Sequence, residues 1–124
     1  MTGSTRVTCN GYRIEAKYSG KMTSELLEDT NRQIRSYVEK GCRIILYNTL
    51  DMAKPEMKLS ILMKKFDMEI GSRLSACATV TSDPTTAFMA KMAFIFTPNH
   101  KVFYNQLDEA LAWLQSNSSR RIVA

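Results

Sequence analysis

Two acidic residues follow apolar, strand-like runs: Asp51 comes after CRIILYNTL (42–50), and Asp83 after LSACATVTS (74–82). Asn48 and Thr49 accompany the first, Ser82 and Thr85 the second, and Asn105 stands behind a third run, KVFY (101–104). Two carboxylates with hydroxyls nearby could perform general acid–base work. Sites in parallel sheets lie off the carboxyl ends of strands, which is where these residues fall. Each acid also has a plain structural use, Asp83 as the N-cap of a helix opened by Pro84 and Asp51 as a loop residue before Pro55. Asn48, Thr49, Asp51, Ser82, Asp83 and Asn105 are therefore a candidate ligand or partner site, and no catalytic residue is assigned.

The remaining chemistry is sparse. His100 is the only histidine, which excludes a multi-histidine metal site. It lies in a TPNH stretch, no GxSxG elbow accompanies it, and a turn role is expected. The glycines at 3, 11, 20, 41 and 71 are isolated, and neither GxGxxG nor GxxxxGK occurs, so no phosphate cradle is encoded. Cys9, Cys42 and Cys77 are odd in number and form no CxxC pair, which speaks against a disulfide framework and a zinc site. Cys42 and Cys77 read as small buried hydrophobes. No metal, no cofactor and no enzymatic activity are expected.

The net charge is +5, from 17 basic and 12 acidic residues, and its distribution matters more than its size. Basic residues are spread along the chain, with adjacent pairs only at Lys64-Lys65 and Arg120-Arg121, and most have acidic neighbours. Nucleic-acid binders gather charge on one face, so no nucleic-acid partner is expected. MTGSTRVTCNG contains no apolar leader region, and Lys91 splits the greasiest run. No membrane span and a cytoplasmic location are expected.

The elements that would position these residues are well marked. In YRIEAKY (12–18), Tyr12, Ile14, Ala16 and Tyr18 alternate with Arg13, Glu15 and Lys17, which predicts a half-buried strand. RVTC before it, across Asn10-Gly11, predicts a hairpin. Thr23 is the expected N-cap of a helix with a Met22–Leu27 staple, an inner stripe of Leu27, Thr30, Ile34, Tyr37 and Val38, and Gly41 just past its end. Glu28 and Arg32 are spaced to pair on its wet side. CRIILYNTL predicts a strand buried on both faces. Pro55 opens a second helix with Leu59, Leu62, Met63, Phe66 and Ile70 inside and Gly71 at its end. LSACATVTS is a second buried strand, a third helix follows Asp83, and KVFY is a further strand. Asn105 is expected to cap a last helix, with Asp108 in its first turn and Leu107, Ala110, Leu111 and Leu114 inside. RIVA (121–124) adds an edge strand or a loose tail. Strands alternating with helices imply mostly parallel pairing with an antiparallel edge. The prediction is one domain over 1–124, with an ordered core of about 5–116.

In the third helix, nine of the ten residues from Ala87 to Phe96 are apolar. Phe88, Met92 and Ile95 form one stripe, with Met89, Ala93 and Phe96 beside it, and this broad face is expected on the sheet. Ala87, Ala90, Lys91 and Phe94 would then face outward, where two alanines permit close approach by a second chain. That predicts a homodimer through residues 84–96.

The block VTSDPTTAFMAKMAFIFTPNHKVFYNQLDEALAWL (80–114) resembles the C-terminal half of the SpoIIAA-like proteins, which have a STAS-type fold. YSGKMTSELLEDTNRQIRSYVEKGCRIILYNTL (18–50) resembles their strand, Gly-Lys turn, long helix and buried strand. The resemblance implies an α/β sandwich, a mixed, mostly parallel sheet of four to five strands covered by about four helices. It also implies a protein-interaction or regulatory module rather than an enzyme, with another protein or a second copy as partner. Anti-sigma-factor antagonists of the wider STAS group carry an Asp-Ser-Ser-Gly-Leu-like turn with a phosphorylatable serine before the second helix. This chain has YNTLDMAKPEM (47–57) instead, with Thr49 the nearest hydroxyl, so a phospho-switch is not expected. Some relatives of this fold carry lipids. Met52, Met57, Met63, Met68, Met89 and Met92 lie in or beside the second and third helices, so a cleft there for a small apolar ligand is the alternative function.

Overall fold

In a computed structural model, described for residues 3–11, 13–94 and 99–117, the alternation of the sequence becomes one five-stranded sheet. The strands are β1 (Ser4–Asn10), β2 (Arg13–Gly20), β3 (Ile44–Met52), β4 (Ala76–Thr81) and β5 (His100–Tyr104). They lie side by side in chain order. β1 and β2 are antiparallel, and every later pairing is parallel. The helices are α1 (Ser24–Glu39), α2 (Met57–Ile70), α3 (Pro84–Ala93) and α4 (Leu107–Ser116).

Each new strand is added on the same side of the last, and crossovers share one hand, so α1, α2 and α3 belong to one face of the sheet. Ile14, Ala16, Ile45, Tyr47 and Cys77 point to that face, in a core shared with Leu27 and Ile34 of α1 and Leu59 and Phe66 of α2. The other face, with Leu46, Ala78, Val80 and Phe103, is covered by Ala110 and Leu114 of α4. β3 and β4 are thus apolar on both sides, as their uninterrupted runs predict.

Asn10 pairs with Arg13 and so belongs to the ladder rather than to the Asn10-Gly11 turn expected, and Gly11 takes φ +66°. Thr23 caps α1 by accepting from the Leu26 N–H at 3.2 Å, and Met22 and Leu27 are both buried. At the other end, the N–H groups of Gly41 and Cys42 donate to the Val38 and Tyr37 carbonyls, closing a Schellman turn with Gly41 at φ +104°. Arg32 pairs with Asp29 rather than Glu28. Arg35 of α1 reaches Glu69 of α2 through two hydrogen bonds of 2.6 and 3.1 Å and lies over the Phe66 ring. Cys9 and Cys42 bring their sulfurs within 2.9 Å, a pairing that the cysteine count did not foresee. Burial first, and then Cys42, push the Cys9 thiol up to about 11.

Three further expectations are corrected. α2 begins at Met57, two residues after Pro55. Asn105 sits at φ +51° and caps nothing; α4 starts behind Gln106. His100 is the first residue of β5 rather than part of a turn.

A last correction turns α3 around. Phe88 is 65% and Met92 55% exposed, whereas Ala87 is 5% exposed and buried. Phe94 is half-buried, with its ring stacked on His100 at 4.0 Å between centroids, and Ala90 is half-buried too. Of the stripe expected to form a dimer face, only Lys91 is exposed. Small side chains let a helix settle close to a sheet, so the alanines go down and the bulky residues stay up. Ile95 and Phe96, expected in the core, and RIVA (121–124) lie outside the described residues.

Gly41 has open space where a Cβ would stand, so a substitution there meets only the backbone penalty of a left-handed conformation. Gly41→Ala is expected to lose about 1–2 kcal/mol in urea unfolding, with an unchanged dependence on urea.

Candidate functional site

The candidate residues at the strand ends do not converge. Thr49 is buried and donates to the Val80 carbonyl at 2.6 Å, while Asn48 points to the opposite face of the sheet and accepts from the Leu50 N–H. Asp51 is exposed beside Lys17 at 3.9 Å. Ser82 donates to the Leu50 carbonyl. Asp83 accepts from the N–H and hydroxyl of Thr86 at 2.7 and 2.8 Å, which hold its carboxyl below the usual carboxylate range, as an N-cap should be. The Asn105 N–H donates to the Thr81 carbonyl at 2.8 Å. These groups serve turns and caps, and only Thr49 reaches the cleft described next.

α2 and α3 stand on the same face and leave between them a cleft of about 390 Å³. Its walls are mainly apolar: Met63 and Phe66 from α2, Met89 and Ala90 from α3, with Met52 at the end of β3 and Pro55 from the loop that follows. Met57, Ile61, Phe88 and Met92 form an exposed apolar rim, and Lys54 and Lys64 add two cations. Tyr18, Tyr47 and Thr79 of the sheet line it as well.

Beneath the apolar walls lies a cluster of enclosed polar groups. Asp67, on the inner stripe of α2 four residues after Met63, is buried with His100. His100 Nδ1 donates to Asp67 Oδ1 at 3.0 Å, and its Nε2 lies 2.8 Å from Thr79 Oγ1. The Cys77 thiol donates to the same Asp67 oxygen at 4.0 Å. His100 is clamped from the sides as well, by Phe94 and, at 6.1 Å, by Tyr47. Two atoms are left over: Asp67 Oδ2 and the Tyr47 hydroxyl are buried and have no hydrogen-bond partner among the described residues. Both residues line the cleft.

Hydroxyl, imidazole and carboxylate in that order resemble a hydrolytic relay. Thr79, however, lies mid-strand between β3 and β5, where the ladders engage the backbone amides that an oxyanion would need. Asp67, Cys77 and His100 also place a carboxylate, a thiol and an imidazole within 4.8 Å of one another, a mixed donor set that sequence reasoning missed. In the structure they are engaged with one another. A sequence signal for Asp67 did exist: it is an acid at a core position of an amphipathic helix.

A SpoIIAA-like family model matches residues 13–115. The chain belongs to the SpoIIAA-like family. An uncharacterized protein with a SpoIIAA-like fold from Shewanella loihica shares 18% identity and a TM-score of 0.68, over 90% of this chain and 93% of that one. An anti-sigma factor antagonist from Mycobacterium paratuberculosis shares 13% identity and a TM-score of 0.71, over 92% of this chain and 95% of that one. No curated protein is significantly similar in sequence. The mixed sheet with four helices is thus a SpoIIAA-like fold, as the resemblance of 18–50 and 80–114 implies. Among the described residues, no helix is long and apolar enough to cross a membrane.

Cys77, Tyr18 and Tyr47 are acids buried in their neutral forms. Burial is the leading cause that pushes each of them up, aided at Cys77 by the Asp67 charge. A folded pKa above the unfolded one contributes stability that is complete below the unfolded value and lost as pH rises. Unfolded thiols titrate near about 8.5 and phenols near about 10. The urea midpoint is therefore expected to fall above about pH 8.5, and replacing both Cys9 and Cys77 by Ala should move the onset to about 10. A midpoint flat through that range would contradict the burial of these groups.

Proposed function

We propose that this SpoIIAA-like protein is a non-enzymatic binding module that takes a small apolar molecule in the cleft between α2 and α3. The observation that carries this reading is the cleft itself, about 390 Å³ with an apolar lining. That volume falls in the range of small-molecule sites, which are mostly apolar with a few placed polar groups. Methionines at Met52, Met57, Met63, Met89 and Met92 give the walls flexible, polarizable side chains that adapt to irregular ligands. The pairing of β4 with both β3 and β5 around Thr79 supports binding rather than turnover.

A regulatory protein-interaction role is the second reading. It is supported by the fold shared with an anti-sigma factor antagonist and by the exposed rim, where Met57, Ile61, Phe88 and Met92 are 69, 51, 65 and 55% exposed. A self-association surface, if one forms on α3, belongs to Phe88 and Met92 rather than to Ala87 and Phe94. Light scattering on wild type and Phe88→Glu tests it: a dimer lost on substitution supports the rim, and a monomer at tens of micromolar removes a homodimer.

The cleft is tested with a neutral naphthyl fluorophore. Wild type should enhance its emission, and Ala90→Trp, which adds bulk at a wall of the cleft, should abolish that uptake. Probe at a hundred times its Kd should add about 2.7 kcal/mol to stability. Uptake unaffected by Ala90→Trp would place the probe elsewhere.

A further inference from the structure

Buried polar atoms in native proteins are nearly always hydrogen-bonded, and each exception needs a reason. Among the described residues two side-chain atoms are exceptions, Asp67 Oδ2 and the Tyr47 hydroxyl. They come from different elements, α2 and β3, yet both residues line the one apolar cleft. His100 connects them, since it stacks on the Tyr47 ring and donates to Asp67 through Nδ1. We propose that Asp67 and Tyr47 form a head-group site selecting amphiphiles that carry a neutral hydroxyl on an apolar chain and rejecting carboxylate-headed ones. The proposal rests on the reading of the cleft as a ligand site and adds what that ligand must present.

The selection follows from donor and acceptor inventory. Asp67 Oδ1 is already met by the Cys77 thiol and by His100 Nδ1 at 3.0 Å, which leaves the second oxygen of the carboxylate without a partner among the described residues. Such a carboxylate only accepts, so its free Oδ2 calls for an O–H or N–H from the ligand. The Tyr47 hydroxyl donates and accepts. An alcohol meets both needs, giving its proton to Asp67 and offering lone pairs to Tyr47. A carboxylate head offers no proton and would set two like charges close together in an apolar surrounding, where charge is poorly screened. The apolar chain then lies along Met63, Phe66 and Met89. Lys54 and Lys64 also line the cleft and provide the competing arrangement, an anionic head held by the lysines with no use of Asp67 or Tyr47.

The test uses the full chain and displacement of the naphthyl fluorophore by decanol and by decanoate, a pair alike in chain and different in head. Decanol should bind at least about tenfold tighter than decanoate, in keeping with the cost of leaving buried polar groups unpaired. Tyr47→Phe should weaken decanol by about tenfold and leave the fluorophore unchanged. Asp67→Asn puts an amide donor where the free acceptor stood, so decanoate should gain on decanol. If Asp67→Asn fails to fold, Tyr47→Phe still decides. Decanoate binding as tightly as decanol, or both ligands indifferent to Tyr47→Phe, would overturn the head-group site while leaving the cleft intact. Wild type that takes up no fluorophore would instead overturn the reading of the cleft on which the proposal stands.

Discussion

A carboxylate inside an apolar layer must be met by donors, and in this chain His100 meets Asp67. The cost of burying an unpaired charge far exceeds the worth of any single apolar contact, so the pair restricts where α2 can sit over the sheet. His100 begins β5, Asp67 belongs to α2, Thr79 is on β4 and Phe94 stands at the end of α3. One imidazole therefore ties together the strands and helices that bound the cleft. The walls take their shape from that fixed point: α3 comes down on Ala87, Ala90 and Phe94, α2 on Leu59 and Phe66, and the larger side chains are left lining the space between them.

The same arrangement explains why the cleft is apolar above and polar below. Residues along β3 and β4 that face α2 and α3 alternate with those that face α4, so Tyr47, Thr49, Cys77 and Thr79 share one face by register alone. Thr49 and Cys77 are satisfied by the Val80 carbonyl and by Asp67, and Thr79 by His100. Tyr47 and the outer oxygen of Asp67 are what remains. A chain with no recognisable catalytic signature thus still holds a specific polar pattern, presented to whatever enters the cleft.

The fold was largely legible because local signals and tertiary pattern agree. Period-two alternation in 12–18, the Thr23 cap, Gly41 and the unbroken runs at 42–50 and 74–82 each report one element, and together they imply the sheet. The site was not legible, for two physical reasons. α3 is apolar nearly all round, so periodicity cannot say which stripe meets the sheet; packing decided it through side-chain size, which placed Ala87 inside and Phe88 outside. His100 looked like a turn residue because Pro98 and Asn99 precede it, and its partner Asp67 lies 33 positions away in sequence. Such pairings arise from register and helix placement, which no local window contains. The Met-rich character of the second and third helices was the one visible trace of the cleft.

Entry of an apolar ligand into the space between α2 and α3 can be watched directly through the methionines. Met63 and Met89 line the cleft, whereas Met22 is packed in the core beneath α1 and does not. Methyl-labelled methionine resonances, followed by NMR during titration with decanol, should show Met63 and Met89 shifting together and saturating while Met22 stays in place. Resonances that do not move, or that all move alike, would contradict the account.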